Sequence, residues 1–572
     1  MQRLSVFLIS LCFVLSCSKP IPAIENDYSK DIRLNQVGYY PIAPKKAIIN
    51  NASNYTEFQV INVEKPEILF TGNLSEDYTW NLAGETVKVA DFSKVARSGK
   101  YVIYVEGLGY SYPFEIKENV LDEAFKASVK SLYYQRSSMP LEKKYAGKWH
   151  RALGHPDNSV AYHPSSGKKG FGKFPGGWYD AGDYGKYVVN GAFSLGQMLT
   201  LYEQYPNVLA DHSLEIPESG NGIPDILDEM KYEMDWLLSM QDDDGGVFFK
   251  LTTKNFEGMV LPELAVNQRY VIGKSTTSSL DFAAVAAKFS RIYKSIDSTY
   301  AANCMEASEK AWNWAINNPD KNYTNPEDIA TGEYGDIDPT QEFYWAAAEL
   351  FVNTKSDTYK KYFEEHQLNY AFKAGESWTA YMYYFGAFSL IDNLNAENSL
   401  VKQLKKDIIK TADELVSKAS NNDYFQPIDD FQWGSNSDVL NAAMIIAQAY
   451  RMNAKSEYLN TILEITDYIF GKNATGYSFL TGFGDKTPQF IHHRQSSGDT
   501  IKEPVPGLLS GGPNKNQQDK SEVSYPENVA PMKSWLDQQP SYASNEVCLN
   551  WNSAAVYIFG FLEQETKLIT TN

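Results

Sequence analysis

From Leu121 to Leu568 the sequence returns to one pattern about a dozen times: a segment with apolar residues at helical spacing, closed by a turn-rich loop. The segments are Leu121–Ser137, Tyr187–Tyr205, Ile223–Met240, Leu280–Ile296, Tyr300–Ile316, Glu342–Val352, Trp378–Leu394, Leu400–Lys418, Val439–Met452, Tyr458–Phe470 and Glu546–Leu568. Some, such as Asp281–Phe289 and Ala346–Phe351, are apolar around most of their circumference, which predicts burial on both sides. Such helices in successive hairpins predict a closed helical barrel, an inner ring within an outer one, with loops at one end forming a cleft. No repeat of roughly 34 or 40 residues is present, which argues against a solenoid.

Ahead of the helices the period changes to two. Lys46–Ile49, Phe58–Val63, Thr86–Val89, Tyr101–Val105 and Tyr112–Ile116 alternate and are punctuated by Gly and Asn, which predicts a small β-sandwich over 31–117. It carries no titratable cluster and reads as a structural or spacing module. Before it, Arg3 and the apolar run Leu4 to Leu15 have the form of an export signal, too short to stay as a spanning helix. The run ends Val14-Leu15-Ser16-Cys17, which resembles a bacterial lipobox with Cys17 as the lipidated first residue of the mature chain. Residues 18–30, with Pro20 and Pro22, read as a tether. The expected location is therefore the cell envelope, held to a membrane by the lipid alone. Cys304 and Cys548 are then the remaining thiols, and one pair makes no disulfide framework. A formal net charge of −19 argues against nucleic acid as a partner.

The chemistry lies in the long loops. In Gly176-Gly177-Trp178-Tyr179-Asp180-Ala181-Gly182-Asp183-Tyr184-Gly185-Lys186-Tyr187, two carboxylates stand three residues apart among glycines and large aromatics. Two such acceptors at one spot can hold and deprotonate a water. The plainer alternative is that they cap the helix expected near Gly185. The crowd of aromatics in a polar loop favours a binding surface, with Trp178 and Tyr179 as candidate sugar platforms. A second stretch, Ser478 to Gly484, leads to His492-His493-Arg494, whose donors suit hydroxyl groups better than a metal. The third holds Trp535-Leu536-Asp537 and Tyr542 to Asn552. There Glu546 is expected to open the final helix behind Ser544 and Asn545, and is a candidate general acid, since glycoside hydrolysis needs a protonated and an ionised carboxyl together.

These three stretches resemble the signature blocks of glycoside hydrolase family 9, over about Leu121 to Leu568, and the sandwich resembles the immunoglobulin-like module that precedes the catalytic domain in one subgroup. The resemblance implies a mainly α protein, an (α/α)6 barrel behind a small Ig-like β-sandwich. It implies an inverting endo-β-1,4-glucanase acting on cellulose-type, xyloglucan or mixed-linkage β-glucans without a catalytic cofactor. An exo-acting relative, or a glycan-binding lipoprotein without activity, are the alternatives. Carried over, Asp183 is the base, Asp180 helps hold the water, and Glu546 is the acid. His492 and Arg494 contact the sugar, Trp551 is a candidate substrate-binding residue, and Asp537 is a signature carboxylate grouped with the catalytic residues, its role open. The chain also departs from the family. Trp149-His150 and Tyr162-His163 stand where Cys-His pairs often bind zinc, so zinc is not expected. Phe249 replaces a histidine before Lys250, and Cys548 replaces a small residue. Asp336, Asp338, Gln341 and Glu342 resemble a family calcium site, with an amide where an acid is usual.

Overall fold

A computed structural model describes residues 27–335, 337–365, 372 and 381–571. Cys17 and most of the tether therefore lie outside the described residues. In the N-terminal region one sheet orders Ile32–Arg33, Lys46–Asn50, Glu85–Asp91 and Tyr78–Trp80. The other orders Gly38–Tyr39, Phe114–Ile116, Gly99–Val105, Glu57–Asn62 and Ile68–Asn73. Their inner faces enclose Phe58, Val60, Tyr101, Ile103 and Phe114. The strand expected from Tyr112 starts only at Phe114, because Pro113 has no N–H for the ladder. Ile68–Asn73 escaped the sequence pattern because it is an edge strand with no fully buried residue.

Twelve helices of nine residues or more follow among the described residues: α1 (Asp122–Gln135), α2 (Val188–Gln204), α3 (Asp225–Ser239), α4 (Thr276–Tyr293), α5 (Ser298–Asn317), α6 (Thr340–Thr354), α7 (Asp357–Glu365), α8 (Met382–Asn393), α9 (Ser399–Ser420), α10 (Ser435–Asn453), α11 (Ser456–Ile469) and α12 (Leu549–Thr571). They form the (α/α)6 barrel. The even-numbered helices make the inner ring: α12 packs on α2, α2 on α4, α4 on α6, α6 on α8, and α10 on α12. Their burial explains the broad apolar faces, for α2 is buried from Val188 to Leu201 and α10 from Ser435 to Tyr450. The outer helices are amphipathic; α9 buries Val401, Leu404, Ile408, Ala412 and Leu415, a helical stripe. Of the expected helix Trp378–Leu394, the part before Tyr381 lies outside the described residues. Helix α7 was missed because only Tyr359 and Phe363 are buried in it.

The segment Asp242–Lys274 lacks a legible period in the sequence yet contains the antiparallel strands Phe248–Thr253 and Arg269–Lys274, the first buried at all six positions and so without an alternating pattern. Lys186–Tyr187 pairs with the first of them. Of the two duties read for the sandwich, structural or spacing, its contacts show the structural one. Tyr40, Ile48, Ala83 and Val87 belong to the same apolar core as the barrel. Asn35 Nδ2 donates to Asp467 Oδ1 at 2.8 Å, Tyr40 OH to Glu563 Oε1 at 2.6 Å, and Met532 N to Leu82 O at 2.9 Å.

Candidate active site

The Asp180 loop runs from the end of α1 to the start of α2 and is fixed from below. Tyr179 N donates to Gln135 O at 2.7 Å and Ser137 N to Gly177 O at 2.8 Å. Trp178 N donates to Glu233 Oε2 at 2.7 Å and its indole Nε1 to Glu229 Oε1 at 2.8 Å. Glu229 is itself held by Arg136 through two 3.0 Å bonds. A fully satisfied buried network of this kind specifies one loop conformation. It also corrects the expectation for Trp178 and Tyr179: both are 0% exposed, so they are the floor of the loop and present no face to a sugar.

The three signature stretches meet above that floor. Arg494 N and Nη1 both donate to Gly182 O, at 3.0 and 2.8 Å, and Leu549 N donates to Asp180 O at 2.9 Å. A Cβ at position 182 would lie 2.1 Å from His492 O, which is why glycine stands there. His492 and Glu546 form a parallel bridge, with His492 N donating to Asn545 O at 2.9 Å. Glu546 does not open the final helix. It sits in extended backbone after the short turn Tyr542–Asn545, and α12 begins at Leu549. The extended conformation is what lets Glu546 bridge to His492 rather than point along a helix.

A pocket of about 410 Å³ is lined by Asp180, Asp183 and Glu546, by Tyr187, Phe256, Tyr334, Trp433 and Trp551, and by Glu333, Cys548 and Asn550. Both oxygens of Asp180 are occupied, by Asn190 Nδ2 at 2.7 Å and Tyr334 OH at 2.6 Å. Asp183 Oδ2 accepts from Gly185 N at 3.1 Å and Tyr187 OH at 3.3 Å, while Oδ1 makes no hydrogen bond among the described residues and is left for a water. Burial and the charge of Asp183 raise the pKa of Asp180; the bonds from Tyr334 and Asn190 oppose the shift. Glu546 is raised well above the ordinary carboxylate value, first by burial and then by Asp183, against the pull of Arg494. The site thus holds one carboxyl poised to keep its proton beside another with an open oxygen, the division of labour that acid–base hydrolysis requires.

Other expected residues have different duties. Asp537, grouped on motif grounds with the catalytic residues, accepts from Gln489 N at 3.0 and 2.9 Å, Phe490 N at 2.8 Å and Asn545 Nδ2 at 3.3 Å, and does not line the pocket. It holds the His492 segment to the Glu546 segment. Arg494 is buried, with Nε on Glu257 O at 2.8 Å and Nη1 on Gly182 O. The His492 ring rests on Gln539 O through Nδ1 at 2.8 Å, and burial lowers its pKa, which favours the neutral imidazole. Phe249 is buried and stacks on Tyr323 with ring centroids 3.6 Å apart. Trp149 donates to Glu503 O while His163 bonds Ser165 and Asp328. In the candidate calcium loop Asp336 lies outside the described residues, and Asp338 Oδ1 accepts from Thr340 N and Oγ1. No group of three or more His, Cys, Asp or Glu suited to a metal occurs among the described residues, so the described donors alone do not make a calcium shell.

Sequence reasoning missed Asn190, Tyr334, Trp433 and Phe256. Asn190 had a signal, a lone amide inside the apolar start of α2; the others sit in loops that carry no period.

A helical barrel whose loops gather four carboxylates and several aromatics in one pocket defines a glycan hydrolase. A family profile described as Glycosyl hydrolase family 9 matches residues 122–559, and one described as Cellulase N-terminal ig-like domain matches 27–110. A xyloglucan-specific endo-beta-1,4-glucanase of Bacteroides ovatus is 39% identical over 98% of both chains. Endoglucanase D of Acetivibrio thermocellus is 34% identical over 94% of this chain and 85% of its own length. A solved structure of a Bacteroides ovatus family 9 enzyme superposes with a TM-score of 0.86 at 37% identity, covering 93% of this chain and 98% of the other. The chain belongs to glycosyl hydrolase family 9. It is a glycoside hydrolase of the endo-1,4-β-glucanase type and acts on β-glucans.

Proposed function

We propose that this protein cleaves xyloglucan internally, at β-1,4 bonds of the backbone, with inversion. The observation that carries the reading is the convergence of Asp180, Asp183 and Glu546 on one aromatic-walled pocket. Glu546, part-buried on the pocket wall and kept protonated by desolvation and the charge of Asp183, gives its proton to the leaving oxygen. Asp183 takes one from a water held at its free oxygen, and Asp180, fixed by Tyr334 and Asn190, helps place that water. Trp433, 36% exposed, and Phe256, 49% exposed, offer apolar faces to the sugar rings. The likeness to a xyloglucan-specific relative over nearly its whole length puts xyloglucan ahead of cellulose, mixed-linkage glucan and glucomannan.

Those four glucans, in soluble form, test the reading together. Xyloglucan should be cut fastest, with viscosity falling before reducing ends accumulate. Proton NMR should show α-configured product before mutarotation. Initial β-product would overturn the mechanism, and faster cleavage of another glucan the substrate. We also propose that Cys17 carries lipid and holds the enzyme in the cell envelope; the wild-type protein should partition into detergent and Cys17→Ala should not. Calcium at Asp336, Asp338, Gln341 and Glu342 is a separate proposal, supported by Gln341 Oε1, buried with no hydrogen-bond partner among the described residues. Melting curves that superimpose in calcium and in chelator would end it.

A further inference from the structure

Lys250 is 0% exposed and has no part in the chemistry above. It lies in the strand Phe248–Thr253, with its Cα opposite that of Tyr187. Its ammonium donates to Gly332 O at 2.6 Å, Asn325 Oδ1 at 2.8 Å, Thr331 Oγ1 at 3.2 Å and Thr331 O at 3.3 Å. An ammonium has three protons, so these four oxygens use them all. The four belong to one loop, which runs directly into Glu333 and Tyr334 on the pocket wall. Asn325 braces the same turn, its Nδ2 donating to Thr331 O at 2.7 Å.

Two further observations give this arrangement a purpose. Tyr334 has φ +48°, a left-handed backbone that a bulky residue keeps only where its surroundings over-determine it. The carbonyls gripped by Lys250 are those of the two residues at 331 and 332, just before it. The charges that face Lys250 are Asp183, Glu333 and Asp180; burial lowers its pKa to about 7 against their attraction. Around the Asp180–Asp183 pair also stand Glu233, Glu546, Cys548, Tyr187 and Tyr334, with His492 facing Asp183 and the Arg494 guanidinium on Gly182 O between the two aspartates.

We propose that Lys250 is a positioning residue for hydrolysis: its ammonium pins the Thr331–Gly332 turn so that Tyr334 meets Asp180, and it is a positive charge that the Asp180–Asp183 pair faces from the side of that turn. This rests on the roles given above to the two aspartates.

The test is Lys250→Met in the full-length enzyme, with kcat, KM and the pH profile of kcat/KM on soluble glucan. At the acid limb, below pH 7, Lys250 carries its charge in the wild type. Losing it should move that limb up by about one pH unit, since a nearby cation favours the ionised carboxylate. The released loop should lower kcat by about 10- to 100-fold while KM changes little. An acid limb at the wild-type pH, or an unchanged kcat, overturns the proposal. If circular dichroism shows that Lys250→Met does not fold, Lys250→Arg serves: it keeps the charge and alters the reach, so the limb should stay while kcat falls. A moved limb or full kcat in that variant is equally fatal. Asp183→Ala, measured alongside, separates the two readings. If it stays active, the functional assignment fails; if it is inactive while Lys250→Met behaves as wild type, only the proposal for Lys250 fails.

Discussion

At Glu546 catalysis and stability oppose each other. Its folded pKa lies well above the ordinary value, so between about pH 4.3, where an unfolded Glu titrates, and the folded value the native state keeps a proton that the unfolded chain releases. Stability therefore falls as pH rises through that window. Glu546→Gln cannot titrate, so its melting temperature should gain on the wild type steadily from pH 4.5 to 7. Its kcat should drop by about 10²- to 10⁴-fold, as should that of Asp183→Ala, with glycan binding largely kept. The alkaline limb of the wild-type kcat/KM profile should sit above the ordinary Glu range, because activity is lost once Glu546 ionises. A variant whose melting temperature tracks the wild type at every pH would show that Glu546 is not the acid that keeps its proton. At this scale the sequence was informative where chemistry needs a rare residue in a rare place, as with Asp180, Asp183 and Glu546. It misled where an aromatic serves packing instead: nothing local tells Trp178, whose indole is bonded to buried Glu229, from a sugar platform.

At the scale of elements, helix cores were legible and helix ends were not. The apolar faces of α2, α4 and α10 follow from a 3.6-residue period, whereas the start of α12 depends on a contact remote in sequence, the His492–Glu546 bridge. The same remoteness governs the Asp180 loop. Its aspartates are placed by a close approach of two backbones at Gly182, a constraint seen locally only as a glycine. Gly182→Ala should therefore act on a pair of elements rather than on one residue. The obstructing atom is a backbone carbonyl, which has no rotamer to yield. We expect a destabilisation of about 1–3 kcal/mol in denaturant titration, with kcat lowered by about 10- to 100-fold as Asp183 moves relative to Glu546. A Gly182→Ala enzyme with normal kcat would mean that the loop and the His492 segment move freely past one another.

For the whole molecule, the order of periods along the chain, two and then 3.6, foretold a sandwich followed by a barrel, but their union could not be read from either pattern. It is made by residues that look ordinary in sequence: Tyr40, Ile48 and Val87 in the barrel's core, Trp80 against Tyr424 and Phe431, and Lys46 paired with Glu464 at 2.8 Å. Glu85 takes part from the sandwich side, bonding Arg33 and Tyr424 and lying 2.6 Å from Lys533, which follows Met532 in the segment leading to Trp535. The sandwich therefore buttresses the long loop that carries the third signature stretch, as well as covering outer helices. Removing it would expose the apolar side of that seam and leave Asp467 without Asn35. Two consequences follow for calorimetry and assay. The full-length protein should melt in one cooperative transition, because the barrel's core extends into the sandwich through Tyr40, Ile48, Ala83 and Val87. A chain beginning at residue 118 should be poorly soluble or melt far lower, and should lose activity even though every residue of the pocket is retained. Two separated transitions in the intact protein, or a truncated barrel with wild-type kcat, would show that the seam is a resting contact and that the barrel holds its active site unaided.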